Sequence, residues 1–324
     1  MSVNPQPVER DVPMPSPAPV PNRPSTPQGT PFRSLDDVGE ALMSQRYVAD
    51  SSLAMSIFLA CGLPRPLLVE GEAGVGKTEI AKVLSTALGT RLIRLQCYEG
   101  IDVRQAVYEW NYSKQMLRIR SLEQHETLGE AAFESIFSPE FLIHRPLLQA
   151  IEAAQDRAPV LLIDEIDRAD EEFEAFLLEL LSDYQITIPE LGTVRAEKAP
   201  IVILTSNRTR EIHDALKRRC LYYWIPYPNI HKEARIVMVK LPGVPERLAW
   251  QVCAVVQDLR RMDLQKVPGI AETLDWTGAL LMLGRDRLDM EVARDTLGVV
   301  LKMQEDVERV EQDLPDLLRN ADAG

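Results

Sequence analysis

The sequence predicts an α/β protein, a parallel sheet with helices on both faces, followed by a purely helical region. Three observations carry this expectation. Short apolar runs alternate with helical patterns between Pro66 and Ile225, which is the texture of strands buried on both faces. A glycine-rich turn joins the first of these runs to the first of these helices. Beyond Pro228 the strand texture stops and only helical periodicity continues, which sets a helical unit beside the sheet.

Residues 1–33 hold ten of the 23 prolines, mixed with Ser, Thr, Gln and Asn. Such a segment cannot bury enough apolar surface to offset its chain entropy, so a disordered tail is expected. Ser34 can cap a helix whose first turn carries Asp36 and Asp37. A helical stretch is expected from there to about Cys61, ended by Gly62 and Pro64. Leu67–Glu70 reads as a strand, residues from about Thr78 to Leu88 as a helix, and Arg91–Cys97 as a second strand. The polar and aromatic segment at about 98–150, with Tyr98, Tyr108, Trp110 and Tyr112, reads as an insertion. Within it we expect a hairpin around 107–120 and a helix near 146–156. Val160–Ile163 is a third strand, followed by a helix through Phe173, Phe176, Leu177, Leu180 and Leu181. A small hairpin is expected at Ile186–Lys198, with Pro189 and Gly192 at its turn. Ile201–Thr205 and Leu221–Ile225 complete the strands, and residues 231–324 read as four or five helices. The expected organisation is a tail at 1–33, an α/β domain at 34–228 and a helical domain at 229–324.

Composition narrows the classes. The chain has 324 residues, 45% of them hydrophobic and 26% charged, enough for a large domain and a smaller one without disulfide support. A net charge of −13 argues against a nucleic-acid binder, whose affinity rests on a basic surface that releases phosphate counterions. Cys61, Cys97, Cys220 and Cys253 are scattered without a C-x-x-C pair or zinc-ligand spacing, as expected of buried thiols in a reducing compartment. No apolar run approaches the roughly 18–20 residues that span a bilayer, and the N-terminus lacks a charged-then-apolar signal layout. A cytoplasmic protein is therefore expected.

Four motifs carry chemistry. Gly71-Glu72-Ala73-Gly74-Val75-Gly76-Lys77-Thr78 matches the phosphate-binding pattern G-x-x-x-x-G-K-[ST] in full. Its glycines let the backbone wrap a phosphate chain with N–H groups inward, and the following helix adds its positive end. Lys77 is expected to reach the β- and γ-phosphates of ATP, and the Thr78 hydroxyl to ligate Mg2+. Second, the strand ending in Asp164-Glu165 puts two carboxylates where burial would be costly without a task. Asp164 is the candidate for holding Mg2+, and Glu165 for orienting or deprotonating the attacking water. Third, the strand Ile201–Thr205 runs into Ser206-Asn207. Asn207 there is either a ligand of the water or γ-phosphate, or simply a turn residue. Fourth, Lys217-Arg218-Arg219 precedes a strand. These bases either complement a helix dipole or supply an arginine to a neighbour's γ-phosphate.

The order of these motifs, followed by a helical domain, resembles the AAA+ ATPases of the P-loop NTPase class over about residues 40–310. Within that class, Leu161-Leu-Ile-Asp-Glu-Ile-Asp-Arg-Ala-Asp170 and Phe176-Leu-Leu-Glu-Leu-Leu-Ser-Asp-Tyr-Gln-Ile-Thr-Ile188 resemble the MoxR family, nearest the branch linked to carbon monoxide dehydrogenase-type molybdenum enzymes. The resemblance implies an AAA+ core with a helical lid, and Asn207 as the sensor of the γ-phosphate. It implies a homo-oligomeric ring, usually a hexamer, in which Arg219, or else Arg218, acts in trans as an arginine finger. It further implies ATP-driven remodelling or maturation of a client metalloenzyme with a von Willebrand A-domain partner. Insertion residues Arg104, Lys114, Arg118 and Arg120 then either face the ring centre or a partner, or are solvated charges. A nucleic-acid motor and a nucleotide-gated scaffold with little turnover are the alternatives. One departure stands out. The small-Pro-Arg motif of many relatives has no arginine here, where the lid reads Pro268-Gly-Ile-Ala-Glu-Thr-Leu-Asp-Trp276.

Overall fold

The computed structural model describes residues 31–123, 136–153 and 158–323. The proline-rich stretch expected to be a tail lies almost wholly outside the described residues. The first helical stretch is two helices rather than one, α1 (Leu35–Ser44) and α2 (Ser51–Gly62). Ser34 caps α1 by accepting from the Asp37 N–H at 3.1 Å. The break falls where Arg46 turns into the left-handed region at φ 58°, without the glycine or proline that would mark it in the sequence.

Five parallel strands form the central sheet: β1 (Leu67–Gly71), β2 (Leu92–Gln96), β5 (Val160–Asp164), β8 (Ile201–Ser206) and β9 (Leu221–Ile225). Their order is β2-β5-β8-β1-β9. Register is continuous across the sheet, with Leu92 beside Val160, Val160 beside Ile201, and Leu67 between Ile203 and Leu221. Alternate side chains point to opposite faces, so the runs divide between two cores. Leu68, Leu161, Ile163, Val202 and Leu204 pack against Leu148, Ile151, Phe173 and Leu177. These partners lie on α6 (Pro146–Glu152) and α7 (Glu171–Asp183). Leu67, Val69, Leu162 and Ile203 pack instead against Ile57 of α2 and against Ile80 and Leu84 of α3 (Lys77–Leu88). This is the layered α/β fold that the alternation predicts.

The insertion departs from expectation. After the short α4 (Val103–Ala106), β3 (Tyr108–Trp110) pairs antiparallel with β4 (Leu142–His144), not with a near neighbour. Residues expected to form the return strand of a hairpin are instead the helix α5 (Tyr112–Glu123). Asn111 starts α5 by accepting the Lys114 N–H on its side chain, a local cap that outcompetes strand pairing. The small hairpin is found as expected, as β6 (Gln185–Ile188) with β7 (Gly192–Arg195).

α8 (Asp214–Arg219) leads into β9. Five helices follow: α9 (Ile230–Lys240), α10 (Glu246–Leu259), α11 (Ile270–Met282), α12 (Met290–Val300) and α13 (Gln304–Ala323). Their core is built on Trp276, Leu248, Val252 and Leu314, and the indole N–H of Trp276 donates to Thr296 Oγ1 at 2.7 Å. A buried Arg260–Glu233 ion pair ties α9 to the C-terminal end of α10. No helix among the described residues is long and apolar enough to cross a membrane.

Candidate functional site

The glycine-rich loop sits at the carboxyl end of β1, where open parallel sheets bind ligands. Gly74 and Gly76 take positive φ angles of 76° and 91°, conformations that only glycine adopts readily. At Gly71 a Cβ would lie 2.5 Å from the Ile225 carbonyl oxygen, so glycine there lets the loop start hard against β9. The Lys77 ammonium is buried and donates to the carbonyls of Gly71 and Glu72 at 2.7 and 2.6 Å. Burial holds its pKa below the ordinary lysine value, against the opposing pull of Asp167, Glu72, Asp164 and Glu165. The Lys77 side chain is thus held at the head of α3 by the loop carbonyls.

Asp164 ends β5 beside this loop. Its Oδ1 accepts from the Thr78 hydroxyl at 3.0 Å and from the Thr205 hydroxyl at 2.5 Å. Its Oδ2 accepts from Arg94 Nε and Nη2 at 3.1 and 2.5 Å. The carboxylate is therefore buried but fully satisfied, as a buried charge must be. Glu165 turns into the left-handed region at φ 55°. Its N–H donates to Thr205 Oγ1 at 3.0 Å and its carboxylate pairs with Arg168 at 3.1 Å. One hydroxyl, Thr205, therefore links both acidic residues to the tip of β8.

Asn207 follows β8, its N–H donating to both oxygens of the buried Asp167 at 3.2 and 3.3 Å. Asp167 also takes the Thr209 N–H at 2.9 Å and the Thr209 hydroxyl at 2.7 Å, so it fixes the turn that carries Asn207. Ala73, Gly74, Val75, Gly76, Lys77, Thr78, Glu165 and Asn207 all line one cleft of about 520 Å³. Its other walls include Arg46–Val48 from the link between α1 and α2, and Ile236 and Leu274 from α9 and α11, so it lies between the sheet and the C-terminal helices. Asp164 sits behind it.

Arg218 and Arg219 are not part of this cleft. Both are exposed at the end of α8. Arg219 Nη1 donates to the Leu178 carbonyl at 3.3 Å, and the Arg218 carbonyl accepts from Arg65. Three residues of the site escaped sequence reasoning. Arg94 looks like the outward residue of a half-buried strand, Thr205 is hidden in an apolar run, and Asp167 stands three places beyond Asp164 with no pattern to give it a task. The one available signal was the polar residue in the otherwise apolar Ile201–Thr205.

A phosphate cradle after β1, an acidic tip on β5 and the parallel order β2-β5-β8-β1-β9 define a P-loop nucleoside triphosphatase with the AAA+ fold. In agreement, residues 66–220 match the family model described as AAA domain (dynein-related subfamily). That stretch, just under half of the chain, is similar to an AAA domain, and with the fold and the loop it marks the protein as an ATP hydrolase. No curated protein matches the chain significantly. Among solved structures, the RuvB Holliday junction branch migration motor of Thermotoga maritima is similar at 15% identity and a TM-score of 0.42, over 82% of this chain and 67% of that one. That likeness is too distant to bear on function.

Proposed function

We propose that the chain binds ATP with Mg2+ in this cleft and, as a ring of its own copies, uses hydrolysis to remodel a client protein. The observation that carries the nucleotide part is the 3.0 Å approach of Thr78 Oγ1 to Asp164 Oδ1 at the head of α3. Two hard oxygen donors, next to a buried lysine and a glycine cradle, suit a cation that keeps most of its waters and takes few protein ligands. Bound by Thr78 and Asp164, magnesium would neutralise charge on the phosphate oxygens. Gly71, Glu72, Ala73, Gly74, Val75 and Gly76 wrap the phosphates with main-chain N–H groups, and Lys77 turns its ammonium from the loop carbonyls to the γ-phosphate. Glu165 accepts the proton of the attacking water, and Asn207 orients that water against the γ-phosphate.

The exposed position of Arg219 and Arg218, away from the cleft of their own chain, supports a finger offered to the next copy. That is a head-to-tail contact which closes into a ring, and AAA+ proteins commonly form such rings. The resemblance to the MoxR family supports a hexamer, a client metalloenzyme and a von Willebrand A-domain partner. The net charge of −13 supports a protein client over a nucleic-acid track.

The test is equilibrium binding of a fluorescent ATP analogue with and without magnesium. We expect magnesium-dependent binding to the wild type and a loss of at least tenfold in Lys77→Ala. Equal binding by both would overturn the assignment of the loop.

A further inference from the structure

The helical region touches the glycine loop with its backbone. The N–H of Ile270, the first residue of α11, donates to the Gly74 carbonyl at 3.0 Å. Gly269, just before it, lies on the loop so closely that a Cβ there would be 2.8 Å from Gly74 Cα and 3.0 Å from both the Ala73 oxygen and the Gly74 carbonyl carbon. All three are main-chain atoms, so nothing can yield by rotating a side chain. The reverse contact is as close, since a Cβ on Gly74 would be 3.1 Å from Gly269 Cα.

The lid side of this contact is braced. Glu272 accepts the Gly269 N–H at 2.9 Å and the Thr273 hydroxyl donates to the Gly269 carbonyl at 3.1 Å. Arg260 donates Nε to the Pro268 carbonyl at 2.8 Å while its Nη atoms pair with Glu233 at 2.6 and 2.7 Å. Its side chain is 6% exposed and lies 4.6 Å from the Tyr227 ring centre, so it is spent on holding this turn rather than free to meet a phosphate.

We propose that Gly269 and the Ile270 N–H are positioning residues that couple the glycine loop to the helical region, so that nucleotide in the loop sets the stance of α11 through main-chain contact. The inference rests on the reading of the loop as the nucleotide site. Phosphate binding fixes the backbone of residues 72–78, and Gly74 cannot move without carrying Gly269 or breaking its hydrogen bond. Two glycines are needed because only they allow backbones this close.

Two substitutions probe it in the full chain. Gly269→Ala adds the methyl that does not fit. Ile270→Pro removes the donor together with a side chain that lines the cleft, so it is read against Ile270→Ala, which loses the side chain but keeps the N–H. Proline is tolerated at the first position of a helix, and Gly269 has the extended backbone that precedes proline comfortably. Gly278→Ala on the same helix is the control, because nothing lies within 4 Å of a Cβ there. We expect a fluorescent ATP analogue to bind Gly269→Ala at least tenfold more weakly than wild type, and Ile270→Pro at least threefold more weakly than Ile270→Ala. Gly278→Ala should stay within twofold. Hydrogen exchange at saturating nucleotide separates coupling from mere packing. Both variants should keep protection of residues 72–78 but lose the nucleotide-induced protection of residues 271–282 seen in the wild type. Should Gly269→Ala fail to fold, Ile270→Pro decides. Affinity and protection in Ile270→Pro equal to those of Ile270→Ala would overturn the proposal. A wild type that binds no nucleotide would overturn the reading of the loop and this inference with it.

Discussion

Arg94 and Asp164 form an ion pair across two neighbouring strands, with Nε and Nη2 of the arginine on one carboxylate oxygen at 3.1 and 2.5 Å. The aspartate is 4% exposed and the arginine 49%. The guanidinium supplies the opposite charge that a carboxylate buried at this depth needs beside the glycine loop, in addition to the Thr78 and Thr205 hydroxyls. Arg94→Ala should lower stability by about 1–2 kcal/mol, less than the ~3–5 for a fully buried pair because the arginine is half in water. Urea unfolding of the nucleotide-free protein measures this. Magnesium should restore part of the loss by supplying another cation to the same carboxylate.

Thr205 is the second anchor of that carboxylate and also holds the Glu165 N–H. Thr205→Val keeps the shape and removes the hydroxyl, leaving one buried acceptor and one donor short of a partner. The expected cost is about 1–3 kcal/mol, and turnover should fall more than nucleotide affinity, because Glu165 loses its anchor while the loop keeps its own. A loss confined to affinity would contradict the assignment of Glu165.

Much of the sheet and the glycine loop was legible because apolar runs bounded by turns have few other uses. Asp164 and Glu165 were legible for the same reason, as charges at the end of an apolar run. Arg94 was not, since its task depends on β2 lying beside β5, a pairing between strands more than sixty residues apart in sequence. The contact of Gly74 with Gly269 was invisible on similar grounds, because neither glycine differs locally from any other. The insertion misled in a different way. Tyr108, Trp110 and Tyr112 suggest one hairpin, but the partner of β3 lies at 142–144, and Asn111 starts a helix in between.

The thiols and the buried tyrosines together set the alkaline limit of the fold. Burial pushes Cys61, Cys97 and Cys220 up to about 12 and raises Cys253 as well. A group whose pKa is raised on folding stabilises below its unfolded value, and that stability is lost as pH rises toward the folded one. Each thiol then contributes a slope of about 1.4 kcal/mol per pH unit from roughly pH 8.5 upward. Lys77, lowered by burial, acts in the opposite sense but is one group against the four thiols and the tyrosines that burial also raises, Tyr47 and Tyr184 among them. Stability should therefore fall between about pH 9 and pH 12, which thermal melts across that range would register. A flat profile would contradict the burial of Cys97, Cys220 and Cys253.

Glu165→Gln should separate binding from chemistry. The amide keeps the size of the side chain but cannot take a proton, so hydrolysis should fall at least ~100-fold with nucleotide affinity within about threefold. Steady-state turnover beside equilibrium binding gives both numbers. Retained turnover would remove Glu165 from the mechanism.

The most direct test of a ring ATPase with shared sites is turnover against protein concentration for the wild type, Glu165→Gln, Arg219→Ala and a mixture of the two variants. We expect specific activity to climb with concentration in the wild type, to be lost in each variant alone, and to return in part on mixing, because each supplies the half-site that the other lacks. Turnover independent of concentration, with no recovery on mixing, would contradict a site completed by a neighbouring copy.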